Sequence, residues 1–114
     1  MLTEQQGFAI LRDEFLSAGY DIQDNVLFHE DGIRFCIDGF DSLARVGFEF
    51  ITTEAGDRTE LTAEVISAIE KRLTSGDLLL LLVDEYEIQT EDELRGYARR
   101  FLELVASRRR NRLG

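Results

Sequence analysis

Carboxylates at strand ends are the side chains of this chain whose type and spacing could do chemistry. Asp38 in "FCIDGF" and Glu49 in "RVGFEFI" each lie on a segment of period 2, and Glu49 points away from the Val46, Phe48 and Phe50 side. A second group follows two apolar runs: Thr53 and Glu54 after "FEFIT", Asp84 and Glu85 after "LLLLLV". With those two strands as parallel neighbours, Glu54, Asp84 and Glu85 all leave at one carboxyl edge, where open α/β sheets bind ligands. Oxygen-only ligands suit Mg²⁺ or Ca²⁺. The competing reading is a solvated loop, since no basic residue adjoins these acids and Arg58 is the nearest in sequence.

The remaining reactive types carry less. His29 is the only histidine, so no multi-histidine metal site exists, and a general base would need a carboxylate aimed at it. Cys36 is the only cysteine and sits mid-strand, which reads as a small buried hydrophobe without a base to activate it. No G-x-S-x-G, G-x-G-x-x-G, P-loop or EF-hand spacing occurs.

The elements that must position these residues are legible from periodicity. Thr3 and Gln6 form a T-x-x-Q capping box for a helix over 4–18, with Phe8, Leu11 and Phe15 as its stripe, helped by Ile10 and Leu16, and Gly19 as its stop. Three alternating segments follow, around Val26 and Phe28, Ile33 to Ile37, and Val46 to Phe50; "EDG" at 30–32 signals a tight turn. A helix over 63–74 starts at Thr62 and stops at Gly76. The run Leu78–Val83 is too short for a helix, does not alternate, and reads as a central strand buried on both faces and parallel to a neighbour. Thr90-x-x-Glu93 caps a last helix with Leu94, Tyr97, Ala98, Phe101, Leu102 and Val105 on one stripe, expected to fray within the Arg tail.

The order is αβββαβα. The expected class is α/β, in the sense of an α+β mixed sheet: an antiparallel three-strand meander plus one buried parallel strand, packed with helices. One globular domain is expected over 1–107, followed by an Arg-rich tail over 108–114.

This element order resembles the core of the restriction-endonuclease-like, PD-(D/E)XK, superfamily across nearly the whole chain. The resemblance implies an Asp near the end of the second strand and a Glu-x-Lys on the third, which bind Mg²⁺ and orient the attacking water. Asp38 and Glu49 would be those carboxylates. The lysine position holds Ile51, and no proline precedes Asp38. The usual active site is therefore broken.

The same two residues also read as sheet ion pairs. Pairing the second and third strands so that residue numbers sum to 83 sets Arg34 against Glu49 and Arg45 against Asp38, each pair worth ~0.2–1 kcal/mol.

Composition narrows the function classes. The 114 residues contain 44% hydrophobic and 32% charged residues with no proline, ordinary for one globular domain. Acids outnumber bases 23 to 13, for a net charge of −10. Setting aside Arg108, Arg109, Arg110 and Arg112 leaves nine bases against 23 acids, a charge of −14. Such a body repels a phosphate backbone, which argues against nucleic acid as a partner. The Arg cluster suits a helix C-terminus, with tethering to RNA, an anionic membrane or an acidic protein as the other reading. The N-terminus "MLTEQQGF" shows no signal peptide, no apolar run approaches membrane-spanning length, and one cysteine fits a reducing cytoplasm.

The expectation is a small non-enzymatic module that binds protein, a homodimer being one form, with no cofactor. Its contact surface would be the outer sheet face, or the last helix with Tyr97 and Phe101. The alternative is a degenerate metal-dependent nuclease-like hydrolase using Asp38 and Glu49, with Asp84 or Glu85 and a Mg²⁺ or Ca²⁺ ion.

Overall fold

Thr3 opens the first helix as its spacing requires. Its hydroxyl accepts the Gln6 N–H at 3.1 Å, and its own N–H donates to Gln6 Oε1 at 2.9 Å. The computed structural model describes residues 2–113, with side chains through residue 110. Helix α1 spans Glu4–Ser17 and buries Ile10, Leu11 and Phe15, while Leu16 is exposed.

Strands β1 (Gln23–Glu30) and β2 (Ile33–Asp41) form a hairpin. Asp31 and Gly32 both take positive φ, 48° and 82°, the two left-handed positions of a type I′ turn. Strand β3 spans Val46–Ile51, followed by a short helix α2 (Asp57–Glu60) that the sequence does not announce. Helix α3 (Ala63–Ser75) starts at Thr62, whose hydroxyl accepts the Val65 N–H, and ends at Gly76 with φ 82°. Strand β4 covers Leu79–Asp84, a single 3-10 turn covers Glu85–Glu87, and α4 runs Glu91–Leu113. The last helix thus continues through the Arg segment rather than fraying there.

The sheet order is β1-β2-β3-β4, antiparallel in the first two pairings and parallel in the third. The order αβββαβα and the mixed sheet are those expected. Strand β4 is buried on both faces but stands at the edge of the sheet, not at its centre. Its lack of alternation follows from helices on both sides, not from strands on both flanks.

Two cores result. Val46, Phe48, Phe50, Leu79 and Val83 pack with α1 and α4, and Phe15 meets Phe48 with ring centroids 5.0 Å apart. Phe28, Ile33, Phe35, Ile37, Phe40 and Leu80 pack with Ile69 of α3 on the other face. Ile33–Ile37 and Val46–Phe50 therefore do not share one face, as continuous alternation would require. The alternation slips at Asp38: Ile37 lies in the α3 core, whereas a Cβ on Gly39 would strike Phe48 in the other. The β1–β2 pairing skips this residue and Asn25, whose φ is 52°.

The β2–β3 register sums to 87, not 83: Gly39 faces Phe48, Phe40 faces Gly47 and Asp41 faces Val46. The expected ion pairs Arg34–Glu49 and Arg45–Asp38 do not form. Arg45 instead holds Glu30 through two hydrogen bonds of 2.8 and 2.9 Å. Cys36 is exposed rather than buried. No described helix is long and apolar enough to cross a membrane.

Candidate functional site

The four-residue register shift brings Asp38 and Glu49 to the point where β2 and β3 part. Backbone pairing ends at Gly39 and Phe48, and beyond it the carboxylates replace the ladder. The Asp38 N–H donates to Glu49 Oε1 at 2.8 Å, and the Phe50 N–H donates to Asp38 Oδ2 at 2.9 Å. Glu49 is 1% exposed, and among the described residues neither acid has an ion-pair partner.

Burial raises the pKa of Glu49, and the charges of Asp38 and Asp57 raise it further. Burial likewise raises that of Asp38, with Asp57 and Glu4 adding to the effect. Glu4, on the first turn of α1, is raised by its own partial burial and then by Asp57 and Glu54. Glu4, Gln5, Phe8, Asn25 and Asp38 line a cavity of about 260 Å³ at this mouth. The physical picture is a buried acid pair that retains a proton near neutral pH, because two uncompensated charges in a low-dielectric site repel.

The second acidic group is assembled, but it is neutralised. Because β3 and β4 are parallel, Thr53 and Asp84–Glu85 emerge side by side. Arg58 of α2 donates to both Asp84 oxygens at 2.7 and 3.0 Å and to Thr53 Oγ1 at 3.0 Å, and lies 3.5 Å from Glu85. It also stacks over Tyr86, 4.8 Å from the ring centre. Glu85, itself buried, accepts the Thr53 N–H at 3.1 Å. Arg58 holds the Asp84 carboxyl below its ordinary value. Glu54 remains exposed outside this network. Sequence distance concealed the role of Arg58, which arrives through the unannounced helix α2.

The Arg cluster has a structural task. Arg108 donates to the carbonyls of Leu73 and Thr74 at the C-terminal end of α3, the Thr74 contact being 2.6 Å. Arg109 donates to the Ala44 carbonyl at 2.6 Å. Arg108 thus sits on the negative end of a helix dipole, but that helix is α3 and not its own, whereas Arg109 meets a carbonyl of the β2–β3 connection. Arg110 is exposed, and the Arg112 side chain lies outside the described residues. Tyr97 is 39% exposed, with Arg100 over its ring, whereas Phe101 is partly buried against Phe15. His29 is exposed at the β1 end.

The two edges of the sheet differ. The β1 edge carries Gln23, Asp24, His29 and Glu30, with a left-handed kink at Asn25, all features that discourage strand addition. The β4 edge is Leu79–Val83, with no proline, lysine or bulge. The Leu79 N–H donates to the Arg45 carbonyl at 2.9 Å, so Leu79, Leu81 and Val83 turn their backbone groups toward β3. Those of Leu80 and Leu82 therefore point outward. Among the described residues neither pair of groups has a hydrogen-bond partner, but Leu80 is only 3% exposed and so is covered, whereas Leu82 is half-buried.

Comparison with protein-family models, curated proteins and solved structures finds no match to this chain.

Proposed function

We propose that this protein is a non-enzymatic binding module that takes up an extended protein segment by strand addition at β4. One observation carries the reading: β4 is an apolar edge strand without proline, lysine or bulge, and the outward N–H and C=O groups of its half-buried Leu82 have no hydrogen-bond partner among the described residues. Main-chain hydrogen bonds would supply register, and the half-buried side chains of Leu81 and Leu82 would supply apolar contact. Amide hydrogen exchange tests it. In dilute solution Leu82 should exchange faster than Leu79, Leu81 and Val83. A lysine-flanked peptide of residues 78–83 should slow it. Equal protection of all four amides at every concentration, with no response to peptide, would sink the proposal.

The superfamily resemblance invites a second reading, a Mg²⁺-dependent hydrolase at Asp38 and Glu49, and the new register does favour it by placing the two across from each other. The donor set does not fit that ion. Among the described residues no three His, Cys, Asp or Glu stand close enough to hold a metal together. The expected lysine position is Ile51, 7% exposed in the α3 core. Holding Mg²⁺ would also require stripping the proton that the buried pair retains. Calorimetry should accordingly show no binding heat with Mg²⁺ or Mn²⁺ up to about 5 mM, far above the range of working catalytic sites. A saturable heat lost in Asp38→Asn would restore the hydrolase reading.

A further inference from the structure

We propose that the protein binds a small amphipathic anion, a carboxylate head on a short aliphatic tail, where α4 meets the start of β4. This site is separate from the Leu82 edge, and the inference does not rest on the strand-addition reading.

Two cavities of opposite character open side by side there. One, of about 470 Å³, is lined by Ala44, Arg45, Gly76, Asp77, Arg108 and Arg109. The other, of about 190 Å³, is lined by Leu73, Phe101, Leu104 and Val105. Leu79 and Arg108 line both, so one ligand can reach from the basic cavity into the apolar one. Jointly they have the size of an ordinary small-molecule site, roughly 300–1,000 Å³.

Not every arginine of the basic cavity is available. Arg45 is committed to both Glu30 oxygens and to the Asp77 carbonyl. Arg108 is turned to the Leu73 and Thr74 carbonyls, where it offsets the negative helix end that would otherwise repel an anion. Arg109 differs. It is steadied by one hydrogen bond from Nη2 to the Ala44 carbonyl and by the Tyr20 ring, 5.7 Å away. Its Nε and Nη1 groups have no acceptor among the described residues, and they remain to make charge-assisted hydrogen bonds.

The neighbouring acids do not compete for it. Asp77 is held by Arg72 and Ser75. Asp41, close enough to feel the Arg109 charge, accepts the N–H groups of Asp21, Leu43 and Ala44. Among the described residues neither Arg108 nor Arg109 has a carboxylate partner, in a chain of net charge −10.

The pairing of the cavities selects the ligand. One open guanidinium matches a head of single charge, whereas a phosphate dianion would press its second charge on Asp77. A bare anion would use Arg109 and leave the apolar cavity empty. A neutral apolar molecule would fill that cavity and leave Arg109 unmatched. An aliphatic tail would cover Leu104, which is 65% exposed at the lip.

An amide NMR titration of the full chain with sodium octanoate tests this. Saturable shifts should appear at Ala44, Gly76, Leu79 and Leu104, with a Kd on the order of 1 mM for so small a ligand. Added salt should weaken binding. Acetate, inorganic phosphate and octanol, which each lack the head or the tail, should bind about tenfold more weakly or worse. Arg109→Gln keeps a donor for the Ala44 carbonyl and should weaken octanoate about tenfold. Leu104→Ser alters an exposed side chain and should weaken it several-fold, with the spectrum unchanged away from the site.

Absence of a saturable shift by about 10 mM octanoate overturns the proposal. So do shifts centred on Leu82, or acetate, phosphate or octanol binding as well as octanoate. The comparison among these four probes needs no variant. Undiminished binding in Arg109→Gln removes the assigned head site. Sedimentation with phosphatidylglycerol vesicles, without a response to free octanoate, would assign the surface to a membrane instead.

Discussion

Asp38 and Glu49 are each a substitute for a ladder bond: each takes an N–H from the opposite strand, beyond the point where the strands stay close enough to pair. The arrangement satisfies two backbone donors at the expense of two acids in a poorly solvated site. Because burial holds both carboxyls above their ordinary values, the folded state binds more protons than the unfolded chain once the pH exceeds the usual carboxylate range. Their contribution is therefore full in acid and declines as the pH rises through the folded values. Glu49→Gln keeps an oxygen for the Asp38 N–H and removes the ionisation. It should raise stability at pH 8 by roughly 1–2 kcal/mol, near one pKa unit's worth, and flatten the slope of denaturation midpoint against pH above pH 5. A variant equally stable with an unchanged slope would show that Glu49 is not the proton store. These acids could be singled out from sequence as strand residues turned away from apolar neighbours, but their partnership could not. That required the register, and counting opposite charges across an ideal ladder selected a different one.

Among the elements, helices were the most legible because their signals are local. Thr3, Thr62 and Gly76 act at the expected positions, and Thr90 accepts the Glu93 N–H at 3.2 Å. Sheet register is a long-range property, and here one backbone irregularity decides it. The slip at Asn25 and Asp38 turns the upper half of β2 to the opposite face, so any argument from unbroken alternation fails there. Glycine makes the close pairing possible on the far side of the slip. A Cβ on Gly47 would lie 2.3 Å from the Gly39 carbonyl, and backbone cannot rotate aside. Gly47→Ala should cost about 2–3 kcal/mol by overpacking, read from chemical denaturation, whereas Gly96→Ala on α4, where a Cβ meets nothing closer than 3.9 Å, should be neutral or stabilising. Comparable stability of the two variants would mean that β2 and β3 can move apart at Gly47. The position of β4 was likewise hidden: six apolar residues report burial on both faces and say nothing about which side carries a hydrogen-bonded neighbour.

For the molecule as a whole, pH acts on two populations of acids in opposite senses. Glu30, gripped by Arg45 and Arg72, is held at about 2, and Arg72 and Arg58 lower Asp77 and Asp84 in the same way. Asp41, despite partial burial, is kept low by the N–H groups of Ala44, Asp21 and Leu43. These groups lose their stabilisation as the pH falls below the usual carboxylate range toward their folded values. The Asp38–Glu49 pair loses its own as the pH rises, and a net charge of −10 adds general repulsion on that side. The thermal midpoint should therefore peak in mildly acidic buffer, at about pH 5, and added salt should raise it more at pH 8 than at the peak. A maximum above pH 7 would contradict this balance. Because Asp77 is exposed and Glu30 and Asp84 are only half-buried, solvent screening should keep that limb shallow.

The division into two cores has a consequence for how the chain is made. Every buried residue of the α3 side lies between Phe28 and Leu80, so that half can close while the ribosome is still adding the rest. The other half joins Leu2, Phe15 and Phe48 to Leu94, Ala98 and Val105, and it cannot close until α4 has been released. For that interval a nascent chain displays an apolar sheet face. The timing of synthesis would then determine whether that face first meets α4 or a chaperone.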